Sequence, residues 1–275
     1  MNDDIVRCRE IHYGDTSLRP DIHGILIPGS RGRLLSVLYT AGGSGPHPTV
    51  LLLHGIPGSE RNFDLAHALR RSGFHVMTFH YSGSCGSDGV YSLAHNLEDA
   101  NTVLNYLLAD HTYGIDKGRV YAVGHSLGGF VCGQLTAQRP EIRAGVLLMP
   151  CDIERIPQIT EAYPLAGERI CQVLEESAQW LKGTSGPVLL QEAETNSECF
   201  RLENLAGALA QKPMLCVAGT LDDCTPLEQH CTPLVKAVEA AGGSSLKFIS
   251  YPTDHFFSDY RLTITNTVIE YLRSP

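Results

Sequence analysis

The stretch VYAVGHSLGGF, residues 120–130, decides the fold of this chain. It opens with four continuous apolar residues, as expected of a strand that is buried on both faces. From Leu127 to Ala137 the apolar residues recur at helical spacing. A G-x-S-x-G motif at residues 124–128 separates the two patterns. The stretch therefore predicts a strand, a sharp turn and a helix, with Ser126 exposed at the turn.

Such a turn restricts the residues on either side of the serine. We expect a side chain at Gly124 or Gly128 to collide with the neighbouring helix or strand. In this geometry Ser126 Oγ stands above the sheet beside a helix N-terminus, and the backbone N–H of Leu127 is free to bind an oxyanion. Ser126 is therefore the candidate nucleophile, and Leu127 is a candidate oxyanion donor.

The rest of the chain alternates apolar runs with helical periods. Strands are predicted at Ile5–Tyr13, Ile22–Ile27, Leu34–Tyr39, Val50–Leu53, His75–Phe79, Arg119–Val123, Ala144–Met149, Met214–Ala218 and Leu246–Ser250. Helices are predicted at Phe63–Arg71, Leu93–Leu107, Leu127–Ala137, Pro226–Ala241 and Ile264–Leu272. This alternation indicates an α/β fold, with a mostly parallel central sheet and helices on both faces.

One long segment interrupts the alternation. Between Pro150 and Pro213 no strand of the main sheet is predicted, whereas Ala166–Leu181 and Glu198–Ala210 have helical patterns. Long connections inside compact domains usually serve a function. We expect residues 151–212 to form a helical lid inserted into a core of residues 1–150 and 213–275. A surface excursion with no role in binding is the alternative.

A serine nucleophile needs a base and an orienting acid, which follow it in the chain order Ser, Asp, His. His255 follows the predicted strand Leu246–Ser250, and Asp222 and Asp223 follow Met214–Ala218. Loops at such positions lie at the carboxyl edge of a parallel sheet, where ligands bind. We therefore predict His255 as the base and Asp222 as the acid, with Asp223 as the alternative acid.

Other neighbouring groups fit these roles less well. Asp254 is adjacent to His255, so its side chain should diverge from the imidazole. His125 is adjacent to Ser126 and cannot easily reach the serine hydroxyl. A second oxyanion donor should come from the loop after the strand Val50–Leu53, which has the sequence HGIPGS. Ile56 is the natural donor there, because the proline that follows it has no N–H.

Composition restricts the class of protein. The net charge of −9 argues against a nucleic-acid or anionic-membrane partner, and no apolar run is long enough for a membrane helix. The N-terminus has no secretory pattern, and the nine cysteines are irregularly spaced. We therefore expect a cytoplasmic protein with reduced thiols, no metal and no cofactor. A homo-oligomer is compatible with the sequence.

Taken together, these motifs resemble the α/β-hydrolase superfamily over nearly the whole chain. The stretch HYSGSCGSDG, residues 80–89, resembles a loop of the feruloyl and cinnamoyl esterase and dienelactone-hydrolase-like carboxylesterases. Ser82 and Cys85 stand where many of those relatives have arginine and tryptophan. The resemblance implies that the inserted helices shape an acyl pocket. Pocket or core positions are expected at Ile156, Ile159, Tyr163, Leu165, Trp180 and Leu181.

The resemblance and the candidate triad imply cleavage of a small-molecule carboxylic ester, with a small or aromatic acyl group, through an acyl-enzyme. Hydrolysis of an amide, a thioester or a carbon–carbon bond, or acyl transfer, could use the same triad. A non-catalytic ligand-binding protein of this fold is the alternative from another class.

Overall fold

The computed structural model describes residues 16–162 and 164–275, apart from the side chains of Thr16, Leu165 and Ala166. The predicted strand Ile5–Tyr13 lies outside that range. Within it, no helix combines the length and the apolar character needed to cross a membrane.

An eight-stranded sheet forms the centre of the described chain, in the spatial order β1-β2-β4-β3-β5-β6-β7-β8. The strands are β1 Asp21–Gly29, β2 Gly32–Thr40, β3 His47–Leu53, β4 His75–Phe79, β5 Ile115–His125, β6 Ile142–Leu148, β7 Met214–Gly219 and β8 Leu246–Tyr251. β2 pairs antiparallel with β1 and with β4, whereas all pairs from β4 to β8 are parallel. The mostly parallel sheet is thus confirmed.

Helices cover both faces of the sheet. Those outside the β6–β7 connection are α1 Phe63–Arg71, α2 Leu93–Leu108, α3 Leu127–Gln138, α9 Leu227–His230, α10 Thr232–Ala240 and α11 Arg261–Arg273. Successive residues of a strand point to opposite faces. Leu51 and Leu53 accordingly join a core cluster with α2, α3 and α10, while Val50 and Leu52 join a second cluster with α1 and α11. The predicted layering is confirmed.

The β6–β7 connection contains helices and one short turn of 3₁₀ helix between Leu202 and Leu205. The helices are α4 Arg155–Ala162, α5 Pro164–Ala178, α6 Gly186–Thr195, α7 Ser197–Phe200 and α8 Ala206–Leu209. α4, α5 and α6 pack against one another, and α6 also contacts α2. The division of the chain into a core and a lid at residues 151–212 stays a prediction.

Two predicted helices are interrupted. The expected helix Pro226–Ala241 divides at Cys231, because Pro233 has no N–H to continue the hydrogen-bond ladder and fits only the first turn of α10. The expected helix Glu198–Ala210 is interrupted at Arg201, whose backbone is extended (φ −68°, ψ 111°). At this interruption of the helix, the Arg201 guanidinium forms an ion pair with buried Glu154 at 2.7 Å.

Candidate active site

Ser126 lies at the junction of β5 and α3, with φ 57° and ψ −123°. A positive φ is uncommon for a residue with a side chain and persists only where the surroundings fix it. Here the surroundings include two glycines. A Cβ at Gly124 would lie 1.9 Å from the carbonyl oxygen of Gly128, and one at Gly128 would lie 2.1 Å from that of Leu53. The predicted collisions are confirmed, and both are with backbone atoms, which cannot move aside cheaply.

His255 and Asp222 form a buried pair. His255 Nδ1 lies 2.8 Å from Asp222 Oδ2, and the Asp222 side chain is fully buried. The backbone N–H groups of Cys224 and Thr225 donate to Asp222 Oδ1 at 2.9 and 2.8 Å. Burial alone would raise the pKa of Asp222, but the hydrogen bond and charge of His255 and the Thr225 bonds lower it overall. The lowered pKa indicates an ionised Asp222, which accepts from Nδ1–H. In a neutral imidazole, that tautomer leaves Nε2 as the acceptor.

Thr225 adds a further contact to this pair. Its hydroxyl lies 2.8 Å from Asp222 Oδ2 and 3.2 Å from the carbonyl oxygen of Met149. The hydroxyl has one hydrogen, so it donates to one of these acceptors at a time. The bond to Met149 anchors the acid loop after β7 to the end of β6, whereas the bond to Asp222 lies within that loop.

The two alternative carboxylates point elsewhere. Asp223 is exposed and pairs with Arg169 at 2.9 Å. Asp254 Oδ1 accepts from the backbone N–H groups of Phe256 and Ser258. The structure thus brings Asp222, and neither Asp223 nor Asp254, to the imidazole of His255.

The predicted oxyanion donors lie at the same place. Ile56 and Leu127 border the cavity that also exposes Ser126 and His255. The loop after β3 approaches Ser126 closely, since a Cβ at Gly55 would lie 3.0 Å from Ser126 Cβ. Across residues 16–162 and 164–275, no hydrogen bond occupies the backbone N–H of Ile56 or Leu127. Both donors are available to a ligand.

The cavity above the sheet has a volume of about 410 Å³ and a largely apolar wall. Ser126 and His255 both line it, although no hydrogen bond joins their side chains in the described structure. Such bonds are often long in an unliganded site and tighten when substrate binds. A 410 Å³ cavity falls in the usual range for small-molecule sites.

The predicted lid positions divide into three groups. Ile156, Ile159 and Trp180 border the cavity, as expected. Leu181 takes the core alternative instead: it is buried in the core and forms an isolated bridge with Ser84. Tyr163 and the side chain of Leu165 lie outside the part of the chain that the structure describes.

Several cavity residues were not predicted, among them Gln229 and His230 on α9. The only available signal was their position shortly after the candidate acid. A polar pair near the start of a helix is too common to indicate a cavity wall.

Two groups of described residues bring three potential metal ligands within 4.8 Å of one another. The first is Asp222, Cys224 and His255, in which the His255–Asp222 hydrogen bond already occupies two ligand atoms. The second contains Asp152, Glu154 and Glu203. Arg201 and Arg155 pair with its two glutamates at 2.7 and 2.6 Å. The first group is held by the hydrogen bond between His255 and Asp222, and the second by ion pairs with the two arginines. We therefore assign a metal to neither group.

Comparisons with known proteins agree with this fold. The sequence profile of a family described as alpha/beta hydrolase fold matches residues 48–212. None of the curated proteins compared with the chain matches it. Among solved structures, the Pyrococcus furiosus esterase Pf2001 has a TM-score of 0.69 and 17% identity, over 95% of each chain.

Two further structures extend the comparison. Est1E from Butyrivibrio proteoclasticus, solved with ferulic acid bound, has a TM-score of 0.70 and 22% identity, over 90% of this chain and 98% of its own. The acylaminoacyl peptidase of Pyrococcus horikoshii has a TM-score of 0.69 and 13% identity, over 92% of this chain but only 41% of its own. At these identities the structures show the fold alone. With a family match over more than half of its length, the chain belongs to the α/β-hydrolase fold family.

Proposed function

We propose that this chain is a serine hydrolase that cleaves carboxylic esters through an acyl-enzyme intermediate. One observation carries the proposal: His255, which is paired with the buried Asp222 carboxylate at 2.8 Å, lines the same cavity as Ser126 at its strained turn. The hydrogen bond to Asp222 fixes the imidazole tautomer that leaves Nε2 free to accept a proton. That is the state a general base needs.

In the proposed reaction, Ser126 Oγ attacks the ester carbonyl carbon while His255 Nε2 accepts the hydroxyl proton. Asp222 stabilises the imidazolium that results. The backbone N–H groups of Ile56 and Leu127 donate to the carbonyl oxygen as it becomes negative. His255 then gives the proton to the leaving alcohol. Water then attacks the acyl-enzyme while His255 Nε2 accepts its proton. His255 returns this proton to Ser126 Oγ as the carboxylic acid leaves.

The cavity supports a small or aromatic acyl group. Its wall is dominated by aliphatic side chains, among them Ile153, Ile156 and Leu189, with Trp180 at the rim. Aromatic and aliphatic groups gain free energy on transfer to such a wall. The ferulic acid bound to Est1E is an aromatic acid in a protein of similar fold. A cytoplasmic location is also part of the proposal, since the eight described cysteines are all free, as in a reducing compartment.

The test is hydrolysis of short-chain aryl esters by the wild type, Ser126→Ala and Ser59→Ala. Loss of the nucleophile should lower kcat by roughly 10³-fold or more. Ser59 borders the same cavity and lies on the surface, so its variant should stay within about threefold of the wild type. Wild-type activity in Ser126→Ala would overturn the proposal. Ratios of kcat/KM for matched ester, anilide and thioester substrates then identify the bond that is preferred.

A further inference from the structure

His230 places an unused hydrogen-bond donor at the cavity wall. The residue ends α9, is 2% exposed and borders the cavity. Its Nδ1 accepts a hydrogen bond from the backbone N–H of Asp152 at 3.1 Å. This bond joins the start of the β6–β7 connection to α9 and fixes the orientation of the ring.

The same bond fixes the tautomer. Burial lowers the pKa of His230 to about 4, despite the opposing influence of the nearby Asp222 carboxylate, so the ring is neutral at pH 7. A neutral imidazole that accepts at Nδ1 carries its proton at Nε2. Within the described residues, Nε2 of His230 makes no hydrogen bond, and it is absent from the polar atoms that are both unpartnered and fully buried, so it keeps some exposed surface. The residue is therefore a rigid donor without an acceptor.

Most other polar groups of the cavity wall are already occupied. The Thr225 hydroxyl bonds to Asp222 or Met149, and Arg169 pairs with Asp223. Gln229, next to His230, has no partner for its amide in the described structure, and the same holds for the hydroxyls of Ser59 and Ser177. Gln229 and His230 together form a polar patch in an otherwise largely aliphatic wall, which we term the α9 subsite.

We propose that the α9 subsite selects esters that carry a second acceptor oxygen, an ether, hydroxyl or ketone, and that this oxygen accepts a hydrogen bond from His230 Nε2–H. The inference rests on the proposed function and goes beyond it, since the triad needs only the scissile ester. An acceptor oxygen on the substrate pairs with the His230 N–H. A purely aliphatic substrate would cover this N–H and leave it without a hydrogen bond, at a cost in free energy. Sites of this kind discriminate against the substrate that lacks the polar atom.

The experiment compares two pairs of nearly isosteric esters. The first pair, 4-nitrophenyl methoxyacetate and 4-nitrophenyl butyrate, differs by one oxygen in the acyl group. The second pair, 2-methoxyethyl butyrate and butyl butyrate, differs by one oxygen in the alcohol. Each kcat/KM is divided by the rate of hydroxide-catalysed hydrolysis of the same ester, which removes differences in intrinsic reactivity. The wild type should prefer the oxygen-bearing ester in one pair by roughly three- to tenfold, the worth of one neutral hydrogen bond.

Variants assign the preference to His230. His230→Leu should remove it, His230→Gln should keep part of it through the amide N–H, and exposed Glu228→Ala on the same turn should leave it unchanged. A wild type without preference in either pair overturns the inference, and so does a preference that survives in His230→Leu. The wild-type comparison decides the matter even if the leucine variant does not fold. A wild type that hydrolyses no ester at all contradicts the proposed function, and this inference falls with it.

Discussion

His125 Nε2 donates a hydrogen bond to the backbone carbonyl oxygen of His255, 2.8 Å away and 130 positions along the chain. Burial lowers the pKa of His125 to about 3, so its ring is neutral and a single N–H serves this bond. The His125 ring also packs edge-on against Phe257, with 4.9 Å between ring centroids. The residue before the candidate nucleophile thus fixes the loop that carries the candidate base.

Replacement of His125 should therefore impair both stability and turnover. His125→Phe leaves a buried carbonyl oxygen without a donor, which should lower the free energy of unfolding by about 1–3 kcal/mol. His125→Gln keeps an N–H near the same position and should lose less. Urea unfolding and kcat on one aryl ester measure the two effects. Equal losses in the two variants would show that packing, and not the hydrogen bond, holds the loop.

The two neighbouring aspartates should differ sharply. Asp222→Asn keeps the shape of the side chain but removes the charge that fixes the imidazole tautomer, so kcat should fall by roughly 10³- to 10⁴-fold. Asp223→Asn alters only an exposed carboxylate paired with Arg169, and kcat should stay within about threefold. Steady-state kinetics on the same ester make the comparison. A larger loss in Asp223→Asn would transfer the role of the acid to that residue.

Stability should decrease as the solution becomes acidic. Burial is the main cause of a lowered pKa in five histidines: His54 and His125 to about 3, and His75, His80 and His230 to about 4. In the unfolded chain the pKa of each of these histidines returns toward 6.5. As the pH falls, the unfolded chain therefore binds protons before the folded protein does. Their contribution is therefore fully present above about pH 6.5 and is lost as the pH falls toward 4.

Urea unfolding between pH 7.5 and pH 5 measures this loss. Each such histidine contributes a slope of up to about 1.4 kcal/mol per pH unit in the window. His54→Gln should reduce the total slope, because one buried imidazole has been removed. Stability that stays constant or rises toward pH 5 would contradict the burial of neutral rings.

The turn at Ser126 should tolerate no side chain at Gly124. Gly124→Ala forces a methyl group onto the carbonyl oxygen of Gly128 and should cost about 3 kcal/mol or more, or prevent folding. Gly207→Ala is the matched control, since a Cβ at Gly207 in α8 meets nothing within 4 Å. That variant should be as stable as the wild type or more stable by up to about 1 kcal/mol. Thermal unfolding of both variants tests the argument, which fails if Gly124→Ala unfolds like the wild type.

Local rules explain why the turn and its loops could be predicted. Gly124 and Gly128 indicate the sharp turn because an apolar strand pattern precedes them and a helical period follows, and neither position has room for a Cβ. His255 and Asp222 follow apolar strands, so the parallel topology places them at one edge of the sheet. The geometry agrees with each of these expectations.

The remaining features depend on long-range contacts that no local pattern contains. The helix is interrupted at Arg201, whose side chain forms an ion pair with Glu154, 47 positions away. Leu181 lies in the core instead of lining the cavity, and it forms a bridge with Ser84. The orientation of His230 depends on the backbone N–H of Asp152, 78 positions away. The sequence indicated that His125 does not fit the role of the base. It did not predict the hydrogen bond from His125 to the backbone of the loop that carries His255.

Covalent labelling with a fluorophosphonate tests the central claim, that Ser126 is an activated nucleophile, most directly. Intact-mass spectrometry and peptide mapping should find one adduct per wild-type chain, on Ser126, and none in Ser126→Ala. Ser59→Ala should label like the wild type. Folded wild-type protein that takes up no probe, or takes it up on another residue, would contradict the account and favour a ligand-binding protein that has kept the fold without turnover.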